Sequence, residues 1–355
     1  MEKVIVFTHN LLADNFAKTC HGLLRGSDRF DILAVIDSAN GGKDAGEVLD
    51  GRHLDIPVFH SVEAFFHKTE ESPKYCVVGV AFPGGMLPEP CRTELIAAMK
   101  NGLSIVCGLH QILGDDPEFR SIANENKVEL IDIRKPRLTT DLHFWSGKIM
   151  DVDTPIIAML GTDCAIGKRT TGRFIAEACN AIGIKTEMIY TGQTGWMQGY
   201  KHGFIFDATP NDFVSGEIER VILECVRESK PDLILIEGQS SLRNPSGPCG
   251  SEFILSGNVK GVILMHAPGR EFFVDMEEIG AVLPGCGDEI KLINHYGAEV
   301  LGVGLNEEGI EMDELKLIRE KLNEDLGIPV VSPLSEGVDA LVEPIKKYIN
   351  EYSFC

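Results

Sequence analysis

The sequence predicts an α/β protein of two domains, each with a parallel β-sheet covered by helices. Short runs of Val, Ile and Leu recur along the chain, and they are nearly continuous in apolarity, as expected of strands buried on both faces. Between them lie segments in which apolar residues repeat at helical spacing, and this alternation is typical of parallel sheets. A chain of 355 residues is long enough for two domains of ordinary size.

Residues 1–150 are predicted to form the first domain. Strands are expected at 4–7, 32–36, 77–80, 104–107 and 129–132. A helix is expected over 91–101, where apolar side chains share one face. The segment 151–155 is polar and ends in proline, so we place the boundary there and assign residues 151–355 to the second domain.

The first domain lacks the glycine-rich turn of dinucleotide-binding proteins. That turn would follow the first strand, where the chain has residues 7–14 with no glycine. Asp37 ends the second strand, at a place where an acid can bind ribose. Without the glycines, we predict a Rossmann-like parallel sheet in which NAD binding is disfavoured.

The second domain repeats the alternation of strand and helix. Its strands are expected at 156–160, 186–190, 233–236, 261–265 and 300–304. Its helices are expected at 169–182, 212–228, 313–325 and 338–352.

A glycine-rich loop, 161–171 with the sequence GTDCAIGKRTT, lies between the strand at 156–160 and the helix at 169–182. A phosphate needs converging N–H donors, which such a turn supplies, and a positive pole, which a helix N-terminus supplies. Lys168 can reach the outer phosphates. The predicted phosphate-binding residues are Gly161, Thr162, Gly167, Lys168, Arg169, Thr170 and Thr171. We therefore predict a P-loop NTPase-type α/β domain.

The loop departs from the usual P-loop pattern in two ways. Five residues rather than four separate Gly161 from Gly167, and Arg169 stands where a hydroxyl is usual, so the hydroxyl is displaced to Thr170. These departures put magnesium ligation in doubt more than phosphate binding. Arg169 can itself contact a phosphate.

Glu237 ends an apolar run in the second domain, where P-loop proteins often place an acid that holds magnesium. We predict Thr170 and Glu237 as ligands of Mg²⁺, and we predict Lys168, Glu237 and Asp163 as catalytic residues, with Glu237 or Asp163 as the base. The alternative for Glu237 is a strand-terminal side chain that faces solvent.

Polar residues follow other strands at the edge where α/β proteins bind ligands. Gln193 and Thr194 follow the strand at 186–190, and Arg243 and Arg270 follow later strands. We predict these four as substrate-binding residues, because Gln and Thr suit close approach and guanidinium groups clamp carboxylates. A plain loop and solvated surface arginines are the alternatives.

Composition excludes several classes of partner. A net charge of -21 would repel nucleic acid and anionic membrane surfaces. No apolar run approaches the roughly 20 residues needed to span a bilayer. Ten cysteines are scattered without a C-x-x-C pair, which indicates reduced thiols. We expect a cytoplasmic homo-oligomer that acts on a small molecule and binds neither nucleic acid nor membrane.

The loop resembles that of dethiobiotin synthetase, which has the same longer spacing. The residues 235–238, Leu-Ile-Glu-Gly, resemble that family's acidic strand end, and Asn306 lies where the family places an adenine-recognising Asn. The synthetase family has a Lys after the next strand, where this chain has Tyr190-Thr191-Gly192. That departure counts against the same carboxylation chemistry.

A closer resemblance covers essentially the whole chain. The loop at 161–171, the segment Gly-Gln-Thr-Gly-Trp at 192–196 and Ile-Glu-Gly-Gln at 236–239 resemble the D-glutamate N-acetyltransferase-like family, formerly a domain of unknown function. The resemblance implies acetyl-CoA as cosubstrate and an acidic amino acid as acceptor. An ATP- and Mg²⁺-dependent ligase or kinase-like enzyme, and a non-catalytic nucleotide-binding regulator, are the alternatives.

Overall fold

A computed structural model describes residues 1–352 as two compact units. The first unit contains Met1–Pro136 together with the short segment Gln193–Tyr200, and the second contains Arg137–Gly192 and the chain from Lys201 onward. No helix within residues 1–352 combines the length and the apolarity needed to cross a lipid bilayer. The nine cysteines in this range are free thiols.

The first unit is a six-stranded parallel sheet with helices between its strands. The strands are β1 (Glu2–His9), β2 (Phe30–Asp37), β3 (Val58–Phe59), β4 (Tyr75–Val78), β5 (Ser104–Cys107) and β6 (Leu130–Asp132). The helices are α1 (Lys18–Leu24), α2 (Ala45–Asp50), α3 (Val62–Lys68), α4 (Glu89–Lys100) and α5 (Pro117–Asn126). The strand order β3-β2-β1-β4-β5-β6 is that of a doubly wound nucleotide-binding sheet, which confirms the Rossmann-like prediction.

The second unit is also a six-stranded parallel sheet. Its strands are β7 (Ile156–Gly161), β8 (Thr186–Ile189), β9 (Leu233–Glu237), β10 (Gly261–His266), β11 (Glu299–Leu305) and β12 (Val330–Val331), in the order β12-β11-β10-β7-β9-β8. Its helices are α6 (Lys168–Ala181), α8 (Asn211–Ser229), α9 (Ser251–Ser256), α10 (Cys286–His295), α11 (Met312–Leu326) and α12 (Asp339–Tyr352). The central strand β7 lies between β10 and β9, so the loops after these three strands share one edge.

Burial explains why the central strands form. Every residue of β7 and β9 is buried, as expected of parallel strands with helices on both faces. Each fully buried Ile or Leu contributes about 1.5–3 kcal/mol to the hydrophobic stabilisation. In α6, Ile175, Ala176 and Cys179 are buried, so the apolar stripe of this helix faces the sheet.

Helix α7 (Gln193–Gln198) lies in the second half of the sequence but packs in the first unit. The Nε2 atom of Gln198 donates to the carbonyls of Gly22 and Gly26 at 2.8 and 3.0 Å. The guanidinium of Arg29 lies 4.1 Å from the ring centre of Trp196, and its Nε atom donates to the Trp196 carbonyl at 2.8 Å. These contacts hold the segment in the first unit.

Candidate phosphate-binding site

The loop between β7 and α6 has the backbone of an anion-binding turn. Ala165 and Gly167 have φ values of 53° and 95°, in the left-handed region. A non-glycine residue in that region costs about 1–3 kcal/mol, and such strain is common at functional sites. Alternation of left- and right-handed residues turns successive amides toward one point.

The amides of residues 165–170 have no hydrogen-bond acceptor among residues 1–352. The first amides of any helix lack intrahelical partners, and α6 has no side-chain cap at Gly167. Six consecutive N–H groups at a helix N-terminus are therefore available to an anion, with the positive end of the helix dipole behind them.

Lys168 lies across this loop. Its Nζ atom donates to the carbonyls of Asp163 at 2.5 Å and Ser240 at 2.8 Å, which leaves one of three N–H groups for a ligand. Burial lowers the pKa of Lys168, and nearby acidic groups, Cys164 and Asp163 foremost, act in the opposite direction. Gly161 provides the space, because a Cβ there would lie 3.3 Å from Lys168 Cδ and 2.7 Å from Ile166 Cδ1.

Asp163 is fully buried and holds the loop in shape. Its Oδ2 atom accepts from Arg270 Nη1 at 3.0 Å and from the Val274 amide at 2.9 Å. Its Oδ1 atom accepts from the Cys164 amide at 2.7 Å and from Asn244 Nδ2 at 3.3 Å. Four donors satisfy this carboxylate, so the geometry favours a structural role.

Arg270 braces the loop from outside. Besides Asp163, it donates to the carbonyl of Cys164 at 2.9 Å and to the carbonyl of Ala165 at 3.5 Å. Its Nη2 atom pairs with Glu308 at 3.0 Å, and only 13% of its side chain is exposed. The loop carbonyls are thus turned toward a cation, while the amides that follow them stay without acceptors.

Thr162 and His266 join the loop to the neighbouring strand β10. The amide of Thr162 donates to the Met265 carbonyl at 3.0 Å, and its hydroxyl lies 3.0 Å from Nδ1 of His266. Burial lowers the pKa of His266 to about 4, so the imidazole is neutral near pH 7. A neutral ring can accept from the Thr162 hydroxyl, which secures the strand end.

Arg169 contacts Glu237 at the end of β9. The Nη1–Oε1 distance is 3.4 Å, and the buried Nε atom of Arg169 has no hydrogen-bond partner within residues 1–352. The other carboxylate oxygen of Glu237 accepts from the Thr191 amide at 3.1 Å. A Cβ at Gly192 would lie 3.1 Å from Gln239 Nε2 and 3.9 Å from both oxygens, so the glycine keeps a side chain away from this carboxylate.

The residues fit a magnesium ion poorly. Mg²⁺ requires closely placed oxygen ligands, but Arg169 holds the hydroxyl position and contacts the acid directly. Thr170 is one helical position further, a rotation of about 100° around α6. The described residues contain no group of three His, Cys, Asp or Glu side chains arranged to hold a metal.

The remaining predicted residues lie further along the two units. Arg243 donates through Nε to Glu289 at 2.7 Å, and Asn306 follows β11, where its amide donates to the His266 carbonyl at 2.7 Å. Gln193 and Thr194 are buried in the first unit, where Thr194 is hydrogen-bonded to the hydroxyl of Thr19 at 3.2 Å. Their assignment to the substrate stays a prediction.

Sequence reasoning missed the side chains that hold the site from a distance. Asn244 is 1% exposed and donates to Asp163, and Glu289 is 1% exposed and accepts from Arg243. The hydroxyl of Thr191 donates to the Glu237 carbonyl and accepts from Gln239. The sequence signal that could have found them is a polar residue directly after an apolar strand. That signal is present for Thr191 and Gln239, but not for Asn244 and Glu289.

Comparison with known proteins identifies the family of both units. A family model described as DUF1611, a domain of unknown function with a P-loop, matches residues 143–342. A second model, described as its N-terminal Rossmann-like domain, matches residues 38–136. These matches confirm the predicted fold class.

Three individual proteins resemble the chain over most of its length. A D-glutamate N-acetyltransferase from Pseudoalteromonas sp. is 29% identical over 276 residues, which covers 76% of this chain and 80% of the relative. One from Tritonibacter scottomollicae is 27% identical over 281 residues, or 77% and 81%. A crystal structure of a DUF1611 family protein from Anabaena variabilis is 26% identical, with a TM-score of 0.88 over 98% of this chain and 100% of that one.

Proposed function

The chain belongs to the DUF1611 family, and on that premise we propose that it is an N-acetyltransferase. It binds a phosphate of acetyl-CoA in the P-loop and acetylates the amine of a small acidic amino acid, either D-glutamate or a chemically related amino acid. The six amides of residues 165–170 without an acceptor are the observation that carries the phosphate assignment. The two relatives named D-glutamate N-acetyltransferase support the reaction and the acceptor.

The reaction sets three demands on the protein. The amine nitrogen forms a bond to the thioester carbonyl carbon, the C–S bond breaks, and the sulfur leaves as a thiolate that takes up the proton released by the attacking nitrogen. The substrate ammonium must first lose a proton to a base, and the negative charge on the carbonyl oxygen needs N–H donors. The acceptor carboxylates need cations.

Glu237 is the better candidate for the base. Both acids are buried, but Asp163 already accepts from four donors and so has no free lone pair for a substrate. Glu237 accepts one amide and one long contact from Arg169, and Gly192 leaves space beside it. We therefore assign proton removal to Glu237, which requires the pantetheine arm of the bound acetyl-CoA to fold back so that the thioester lies near the loop.

Arg243 is the better candidate for binding an acceptor carboxylate. Arg270 uses its guanidinium to brace the loop, whereas Arg243 is anchored only through Nε and is 35% exposed. Its two terminal nitrogens have no acceptor within residues 1–352. An arginine fixed at one nitrogen can present its terminal pair to a carboxylate.

The test is consumption of acetyl-CoA by the purified protein. The proposal expects thiol release that depends on D-glutamate, with an acetylated amine as product. Glu237→Gln should lower kcat by about a hundredfold or more while CoA affinity stays within about threefold, because only the base is lost. No D-glutamate-dependent release from acetyl-CoA, with CoA bound normally, would contradict the proposed reaction.

An ATP-dependent ligase is the second candidate. One observation favours it: Glu237 ends β9, the strand beside β7, which is where P-loop enzymes of phosphoryl transfer place their magnesium-holding acid. Magnesium-dependent ADP release driven by a small acid would support this candidate against acetyl transfer.

A further inference from the structure

We infer that the guanidinium of Arg169 occupies the place of magnesium in this P-loop, so that the site binds phosphate in its metal-free form. The inference rests on the proposed phosphate site and adds the ionic form of its ligand. It predicts that the loop binds a phosphate or diphosphate group that anchors the ligand and does not itself react.

The two positions that hold magnesium in P-loop proteins are joined directly here. The residue after the loop lysine normally supplies a hydroxyl to the ion, and the acid of the adjacent strand normally holds it from the other side. In this chain the first position is Arg169 and the second is Glu237, and their side chains meet at 3.4 Å. The guanidinium therefore lies where a magnesium ion would lie, next to the Glu237 carboxylate.

Arg169 has donors left over. Within residues 1–352 its Nε atom is buried without a partner, and its one side-chain ion pair, with Glu237, is longer than the 2.7–2.9 Å typical of a charge-assisted hydrogen bond. Because the Arg169 side chain is only 19% exposed, its unused donors favour an incoming anion. The amides of Arg169 and Thr170, which also have no acceptor within residues 1–352, begin the same helix. Side chain and backbone thus offer donors from the same turn of α6.

The charges around the loop favour a bare phosphate over a metal complex. Asp163 pairs with Arg270, and Glu237 pairs with Arg169, which leaves Lys168 as the unpaired cation of the loop. A divalent ion at Glu237 would lie next to the Arg169 guanidinium and be repelled by it. A phosphate instead gains a planar, bidentate donor, which an arginine provides better than a lysine.

The experiment measures the affinity of CoA, and of ADP as a second probe, by calorimetry in EDTA and in excess magnesium. For the wild-type chain we expect CoA affinities in the two conditions to agree within about twofold. Arg169→Thr should weaken CoA binding in EDTA by about tenfold to a hundredfold, the usual effect of losing a charge-assisted bond. Because this variant restores the usual hydroxyl, magnesium should recover part of its ADP binding.

Two further variants separate the causes. Arg227→Thr is the matched control and should bind CoA as the wild type does. Arg227 is 69% exposed on α8, and among the described residues its side chain pairs only with its neighbour Glu228. Glu237→Gln should keep metal-free CoA binding within about threefold, because the carboxylate contacts the guanidinium and is assigned no contact with the phosphate. Thermal unfolding of each variant establishes that it is folded.

Three results of these binding measurements would overturn the inference. Magnesium strengthening wild-type binding more than about tenfold would place a metal in the site. Unchanged CoA affinity in folded Arg169→Thr would show that this arginine does not contact the ligand. No binding of either probe to the wild type would show that the loop does not bind phosphate. The acetyl-transfer assay reports separately: metal-free CoA binding without acetyl transfer refutes only the proposed reaction, and acetyl transfer that requires magnesium refutes only this inference.

Discussion

The turns that follow the central strands β1 and β7 occupy the same place in two sheets of the same size. They differ in whether their hydrogen-bond donors find acceptors within the protein. After β1, the carboxylate of Asp37 accepts from the Leu12 amide and the Thr8 hydroxyl, both at 2.9 Å. After β7, the amides of residues 165–170 have no acceptor within residues 1–352. The first turn is closed by an anion of its own chain, and the second is left for an anion from outside.

Two buried aspartates produce this difference. Asp37 lies in front of its turn and also accepts from the Ala39 amide and from the amide and side chain of Asn40. Asp163 lies within its loop, binds Arg270, and leaves the later amides unsatisfied. A carboxylate that is 0% exposed and holds five donors is not presented to a ribose, so the acid at the end of β2 serves the fold.

The largest effect is expected at Lys168. Lys168→Ala removes the ammonium that crosses the second turn and should lower CoA affinity by about a hundredfold or more, since hydrogen bonds to charged groups are among the strongest in proteins. Calorimetric titration measures the change. Lys321→Ala, an exposed lysine on α11, is the control and should leave affinity unchanged. Unaltered CoA binding in Lys168→Ala would show that this loop does not hold the phosphate.

The two aspartates allow a direct comparison of the two turns. Asp163→Asn and Asp37→Asn should each lower the free energy of unfolding by about 2–4 kcal/mol, because each leaves buried donors or a buried cation uncompensated. Urea unfolding measures this loss.

Only Asp37→Asn should leave CoA affinity unchanged. Asp163→Asn releases Arg270 and the loop, so CoA affinity should fall by about tenfold, whereas Asp37→Asn should change it by less than about twofold in the folded protein. Equal losses of affinity in both variants would contradict the assignment of separate roles to the two turns.

The remaining expected effect is a pH dependence from His266. Its pKa is lowered to about 4 in the folded chain, against an unfolded value near 6.5, because burial opposes the charged form. The folded state therefore binds fewer protons between these values, and stability falls as pH drops from 6.5 toward 4, by about 3 kcal/mol at most.

His266→Gln isolates this contribution from the carboxylates that titrate in the same range. The wild type should lose more stability than this variant between pH 7 and pH 4.5, as measured by urea unfolding at each pH. Parallel curves for the two proteins would place the His266 pKa near its ordinary value.

Much of the fold could be predicted because its signals are local. The strands β7 and β9 are apolar at every position, and the helix α6 follows a glycine and carries an apolar stripe. The two-residue edge strands β3 and β12 carry no pattern and were missed. Helix α7 could not be placed either, since its partners Gly22 and Gly26 are 176 and 172 residues away in sequence.

The site divides in the same way. The loop glycines and Lys168 could be identified from spacing alone, but the partners of Asp163 could not. Asn244, Arg270 and Val274 lie 81, 107 and 111 residues from it, and only the folded sheet brings them together. For this reason the sequence predicted Asp163 as a catalytic residue and Arg270 as a substrate-binding residue. The geometry favours a structural role for both, because they pair with each other and hold the loop.

A crystal structure of this chain with bound CoA tests the central claim most directly. We predict that phosphate oxygens of the ligand accept hydrogen bonds from amides within residues 165–170 and from Lys168, with the Arg169 guanidinium in contact and no metal between them. Phosphates bound elsewhere, with those amides turned to protein carbonyls, would contradict it.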